Sequence, residues 1–319
     1  FLTMNLLYAV AVGIGGLSML FQIAYRSFLP SVVIRSQLVD ANSKLELATA
    51  GTASVGPGAG GLLTQVLAAP IAVAFGSLMY MFSAILFRSM RVVEVIAPSR
   101  NDSSGKSISA FASIKEGFGF LRRNPVLIGI ALSEATLVIF GAAWEAISLL
   151  FVVRELDFSP GMIGALASIG SVGLFAGSYI SPRLSKKIGV GPSIGIALIV
   201  MSLSGFVLPF AGGPTAAIYA LVSVSVVAVL VGLVIYQVLQ VSVRQSMTPD
   251  SLQGRITSIM VVSSRAAAPL GAIIGGLVGQ QVGLRESLLI SSAGMGAAVF
   301  WLLYYRTWSL REMPGLGDA

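Results

Sequence analysis

Between Glu46 and Arg88 no side chain is charged, and inside that stretch lies the run Gly51-Thr52-Ala53-Ser54-Val55-Gly56-Pro57-Gly58-Ala59-Gly60-Gly61. Glycine and proline are the two poorest helix formers in water, so a soluble helix would break there. A membrane helix tolerates both, because neighbouring helices re-satisfy the freed backbone groups and small residues admit close packing. The segment is therefore either a loop or part of a packed membrane protein. Composition bears on that choice: the chain is 55% hydrophobic and 10% charged, against about 25% charged for ordinary globular domains. A soluble core of 319 residues could not hide so much apolar surface.

The chain has no cysteine and no histidine. That removes disulfides, thiolate metal sites, and both the commonest general base and the commonest metal ligand. No cofactor and no metal are expected, and the chain does not read as an enzyme. The net charge of +7 does not gather into a nucleic-acid patch; basic residues sit at the ends of apolar runs. The expected surroundings are a lipid bilayer, not nucleic acid. Gly56, Gly58 and Gly61 also satisfy G-x-G-x-x-G, but a dinucleotide site needs a preceding strand and an acid about 20 residues on. Here an uncharged helix precedes, and no acid occurs between Glu46 and Glu94.

A span needs about 20 mostly apolar residues. Nine such runs are expected, at 5–25, 45–68, 71–88, 126–150, 160–181, 190–210, 215–240, 256–279 and 287–305, the second being the weakest. Residues 97–105 read as a flexible linker. Beyond it, Phe111, Ile114, Phe118 and Leu121 recur at helical spacing among Lys115, Glu116, Arg122 and Arg123, which predicts an interfacial helix within 108–123. Alternation then puts 17 of the 20 basic residues on one side, with Arg154 and Arg285 opposite and Arg265 inside a span. By the positive-inside rule the basic side is cytoplasmic. Ala319 is expected in the cytoplasm and Phe1 outside.

A shift of 214 residues pairs Val33 with Met247, Leu38 with Leu252, Gly61 with Gly275 and Leu63 with Leu277. The second copy has three spans ahead of it, at 126–210; the first has none. The simplest account is two six-span halves from which roughly 90 residues, the first three of twelve helices, are absent. The start Phe-Leu-Thr-Met, with no basic leader, agrees with a cut chain. The expected fold is an all-α polytopic membrane protein. Residues 1–90 are the remainder of an N-terminal half (helices four to six), 91–123 a cytoplasmic linker with an amphipathic helix, and 124–319 a six-helix C-terminal half. Parallel repeats of this kind are the architecture of major facilitator transporters. A genuine nine-span protein and a chance repeat are the alternatives.

Several segments carry a resemblance. Gly56-Pro57-Gly58-Ala59-Gly60-Gly61 resembles the G-P-x-x-G-G core of the antiporter motif in drug:proton antiporters of the major facilitator superfamily. Leu29-Pro30-Ser31-Val32-Val33 with Leu38-Val39-Asp40-Ala41-Asn42 is similar to the loop before that helix in the efflux branch of macrolide-efflux and enterobactin-exporter-like proteins. Glu116-Gly117-Phe118 with Leu121-Arg122-Arg123-Asn124-Pro125-Val126-Leu127 resembles that branch's entry to helix seven. Arg244-Gln245, Pro249-Asp250 and Leu252-Gln253-Gly254-Arg255 resemble its loop between helices ten and eleven. The resemblance implies proton-coupled efflux of a drug-like or siderophore-like small molecule by alternating access, from a carrier that is monomeric when full length. It also implies a role for Gly56, Pro57, Gly60 and Gly61 in antiport; simple helix packing is the other reading, with Gly170, Gly173 and Gly177 offered as the packing partner.

Charge inside a membrane costs about 2.5–3.5 kcal/mol even on insertion scales, which singles out Glu134, Glu145 and Arg265. The two glutamates are eleven residues apart, about three turns and roughly 20° of rotation, and so are expected on one face. Carboxylates taken out of water favour the protonated form, as a proton-coupled carrier requires. The alternatives are that Glu134 is paired structurally and that Glu145 simply reaches the outer interface. Arg265, about 15 Å along a helix from Arg255, is expected to balance a buried acid, bind an anionic group or snorkel. Arg183, Lys186 and Lys187 are candidates for a cytoplasmic gate or mere anchors. Trp144, Gln237 and Gln240 are candidate cavity residues. The alternatives to proton-coupled efflux are a proton-independent or symport carrier of a lipid or metabolite and, more remotely, an intramembrane enzyme or receptor.

Overall fold

The computed structural model describes residues 4–66, 69–89, 110–212 and 216–314. It is an all-helical, multi-pass membrane protein, with no strand among the described residues. The helices are α1 (Met4–Val32), α2 (Leu38–Val66), α3 (Ala69–Ser89), α4 (Ala110–Arg123), α5 (Pro125–Arg154), α6 (Pro160–Ile188), α7 (Val190–Gly205), the single turn α8 (Val207–Phe210), α9 (Ala216–Met247), α10 (Gln253–Val282) and α11 (Leu284–Tyr304). Local chemistry sets several ends. Asn124 and Ser159 accept from the N–H groups of Leu127 and Met162, with proline as the next residue of each helix. Gly189 and Gly283, at φ 97° and 114°, turn the chain out of α6 and α10.

Seven helices are long and apolar enough to cross a membrane by length and composition, counted over the described residues. α2 is not among them, since Asp40, Lys44, Glu46 and its glycines lower its hydropathy; within α3 the described stretch Ala74–Leu86 is apolar. The linker at 97–105, Phe1 and Ala319 lie outside the described residues. Three helices overrun the expected spans at the same end: α1 reaches Val32, α6 Ile188 and α9 Met247. Apolar runs stop where hydrocarbon stops, whereas a helix continues while neighbours bury its polar groups.

The 214-residue repeat has a backbone counterpart. With that offset α9 falls on 2–33, α10 on 39–68 and α11 on 70–90, against the observed α1, α2 and α3. Even the short 3-10 turn Asp250–Leu252 falls on 36–38, beside Arg35–Gln37.

α5 packs along α10 and α11, α9 along α6 and α7, and α7 against α11. One apolar core runs through them, from Leu127 and Ile130 to Leu198, Tyr236, Leu239 and Leu302. α4 lies on α10, where Gly117 meets Ile259 and Glu116 pairs with Arg255. Of the expected apolar stripe Leu121 is buried there and Phe118 is 51% exposed, while the side chains of Phe111 and Ile114 lie outside the described residues.

Gly170, Gly173 and Gly177 correct an expectation. They face α9, not the glycine-proline run of α2: a Cβ added to Gly173 would stand 2.5 Å from the carbonyl oxygen of Val227. Spaced to share one face, they bring two helix backbones together where no side chain fits.

α1 and α2 meet the later helices at the basic end. Leu38, Asn42, Ser43 and Ala50 are buried, whereas Val12, Ile14, Leu17, Leu20 and residues 52–56 are exposed. Among the described residues the two parts close at the basic end and part farther along.

Candidate functional site

The buried polar centre lies where α5, α9 and α10 meet. Glu134, 9% exposed, projects from α5. Ser264 of α10 donates to its Oε1 at 2.8 Å, and the Arg244 guanidinium of α9 stands 3.7 Å from its Oε2. Arg244 also reaches Gln240 Oε1 at 3.4 Å, and Gln240 donates to Gln237 Oε1 at 3.4 Å. Behind them the fully buried Tyr236 hydroxyl lies against Ser133 and feels both charges. Glu134 Oε2, Arg244 Nε, Tyr236 Oη and Ser133 Oγ lack a hydrogen-bond partner. Polar atoms left without a partner in one buried cluster, Glu134 Oε2 and Arg244 Nε foremost, mark a place where water can bind.

Glu134 also opens onto a cavity of about 450 Å³ between α4, α5 and α10. Its walls are mainly apolar, with Leu121, Ile128, Leu132, Ile259 and Met260, while Arg122, Ser263 and Ser264 add polar contacts. That size and mixture suit an organic small molecule.

The structure sorts the sequence candidates. Glu134 is buried in an ion pair. Glu145, expected on the same face, is exposed, because α5 at that level has its buried face at Ala143 and Ile147. Arg265 is exposed and donates to Gln22 of α1 at 3.1 Å; the cation that balances the buried acid is Arg244. Trp144 donates to Gly205 O at 3.4 Å and lines a separate cavity of about 160 Å³ with Leu166, Leu208 and Val226. Gln240 is wholly buried and backs Arg244 rather than facing either cavity. α2 runs unbroken through Gly56, Pro57, Gly60 and Gly61; Gly56 is exposed with open space beside it, and the surroundings of the other three lie outside the described residues.

Of the basic trio, Lys186 stands 3.9 Å from Asp40 of α2, Arg183 covers the Tyr179 ring and donates to the Tyr179 carbonyl, and Lys187 is exposed. The Lys186–Asp40 pair is solvated on both sides, 76% and 46% exposed. Lys186→Ala is accordingly expected to change thermal stability in detergent by less than about 1 kcal/mol.

Tighter ties hold the basic end. Asn42 Nδ2 of α2 donates to Gln245 Oε1 at 2.7 Å and Ser242 Oγ at 3.0 Å. Gln245 Nε2 donates to Arg26 O of α1 at 2.8 Å, Ser43 Oγ donates to Ser178 O, and Arg35 reaches Ser246 O and Asp250. Arg244 and Gln245, expected in a loop, lie buried in α9. The polar run Gln240, Ser242, Arg244, Gln245, Ser246 hides that, because hydropathy cannot separate a polar helix face from a loop.

Comparisons with known proteins agree with this architecture. The model of the Major Facilitator Superfamily matches residues 1–266 and 138–314. The chain is 26% identical over 266 residues to the multidrug efflux pump Tap of Mycolicibacterium fortuitum, covering 82% of this chain and 62% of Tap. It is 28% identical over 200 residues to the MFS-type transporter YjbB of Bacillus subtilis, covering 61% of this chain and 47% of YjbB. The chain thus spans less than two thirds of these curated relatives. A crystal structure of a bacterial homologue of the iron transporter ferroportin, in an outward-facing state, superposes with a TM-score of 0.65 at 19% identity, over 91% of this chain and 69% of that one.

Proposed function

This chain belongs to the Major Facilitator Superfamily, and from that premise we propose that it forms part of a secondary transporter that exports a drug-like or siderophore-like small molecule in exchange for protons. The observation that carries the proposal is Glu134: a buried carboxylate that faces a small-molecule-sized, largely apolar cavity and has one oxygen hydrogen-bonded and the other without a hydrogen bond. Such a group can hold either a proton or the cationic part of a substrate, but not both. Arg244 supplies the compensating charge when the site is empty, and the apolar walls bind substrate by its shape and hydrophobic area.

In this reading residues 1–90 and 124–319 belong to two halves joined by 91–123, and they rock about the Glu134 region. The basic end faces the cytoplasm of a bacterial cell, and Gly56, Pro57, Gly60 and Gly61 let α2 bend or pack closely as the other end changes. Loss of the proton from Glu134 biases the equilibrium between the two states only as far as the states differ in their affinity for it.

The test uses the full-length protein carrying this chain, reconstituted in vesicles with a fluorescent lipophilic cation as probe. Transport should follow an imposed pH gradient, and Glu134→Gln should cut proton flux at least about tenfold while leaving probe binding measurable. Probe export that is indifferent to collapse of the gradient would instead favour a carrier without proton coupling.

A further inference from the structure

Two of the hydrogen bonds that tie α1 and α2 to the later helices end on carbonyls that proline has left without a donor. In an α-helix each carbonyl is served by the N–H four residues on, and proline has none. Pro30, inside α1, thereby releases Arg26 O, and Gln245 of α9 donates to that oxygen at 2.8 Å. Pro182, inside α6, releases Ser178 O, and Ser43 of α2 donates to that one. The arrangement is reciprocal: each side of the contact offers one side-chain donor and one freed carbonyl.

We propose that these carbonyls are the acceptors of a reversible latch, with Gln245, Ser43 and Asn42 as positioning residues that set how long the basic end stays closed during transport. The inference rests on the alternating-access reading above. Asn42, Ser43 and Gln245 are 6%, 7% and 1% exposed, so the closed state hides all three. The Gln245 amide accepts from Asn42 and donates to Arg26 O, which clamps α1, α2 and α9 with one side chain. A carbonyl already bonded within its helix can still accept through its second lone pair, as Ser292 O does from Ser202, but it gains less by doing so. A proline-freed one gains a full bond when the end closes and can take water when it opens, so the tie is firm without being permanent.

This chain contains no cysteine, so with any cysteine elsewhere in the full-length protein replaced by serine, Lys44→Cys and Lys187→Cys, on exposed positions of α2 and α6, give a defined pair for spin labels. Pro30→Ala restores the N–H that competes for Arg26 O. It should raise the share of the long-distance, open population about three- to tenfold, the size of one net hydrogen bond. Gln245→Ala should do at least as much, and the double variant no more than Gln245→Ala alone, because both delete the same bond. Pro182→Ala should multiply with either. Distances that ignore both proline substitutions, or a double variant that exceeds Gln245→Ala, overturn the latch. If the labels shift as expected while the protein carries no proton-driven probe, the latch stands and the exporter reading falls. If transport is proton-driven and the labels ignore the prolines, the latch falls alone.

Discussion

Arg244→Ala is expected to destabilise the folded helices by about 3–5 kcal/mol, a large fraction of the stability of most folds. The reason is what it leaves behind rather than what it removes. Glu134 would stay buried in α5 with only the Ser264 hydroxyl to offset its charge. Thermal unfolding in detergent measures the loss. The informative control is the double substitution Glu134→Leu with Arg244→Met, which swaps the ion pair for apolar side chains of similar size. It should recover most of the stability, since a buried pair replaced as a whole is often neutral or better. Recovery in the double variant together with loss of proton flux would separate the structural duty of the pair from its proposed part in transport. If Arg244→Ala costs less than about 1 kcal/mol, the pair is solvated and the buried-charge argument fails.

Gly173→Leu should be the next most damaging change, at about 1–3 kcal/mol or more. A side chain at that position would run into the α9 backbone at Val227 and the side chain of Leu230, so the helices must separate rather than repack. Gly276, in α10, supplies the contrast: nothing lies within 4 Å of an added Cβ, and Gly276→Ala should be neutral or slightly stabilising. Equal losses at the two positions would mean that glycine acts through helix flexibility and not through close approach.

Much of the fold is legible in residues alone. Each of the nine expected spans corresponds to a helix, and the 214-residue offset found in side chains recurs in helix ends. Those signals are collective: apolar length and repeat spacing average over many residues, so single exceptions do little harm. The site is less legible because it depends on individual partners. Glu134 stands out as a charge among apolar neighbours, but Arg244 looks like one more basic residue at a span's inner end. Only the packing of α9 against α5 turns it inward. Gly170, Gly173 and Gly177 carry a correct packing signal with the wrong partner, since spacing on one helix names a face and not what covers it. Arg265 illustrates the converse. It lies within α10 as its spacing implies, and yet it donates to Gln22 of α1 instead of pairing with a buried acid.

The repeat has a consequence for how the two kinds of chemistry can coexist. With the 214-residue offset, Arg244 and Pro30 occupy the same rung of two copies of one backbone. One copy uses that rung for the cation that neutralises Glu134; the other uses it for the ring that exposes a carbonyl. No residue can do both. Two identical copies of either unit could build the scaffold but would lack one of the two devices, so the units are alike in shape and not interchangeable in use.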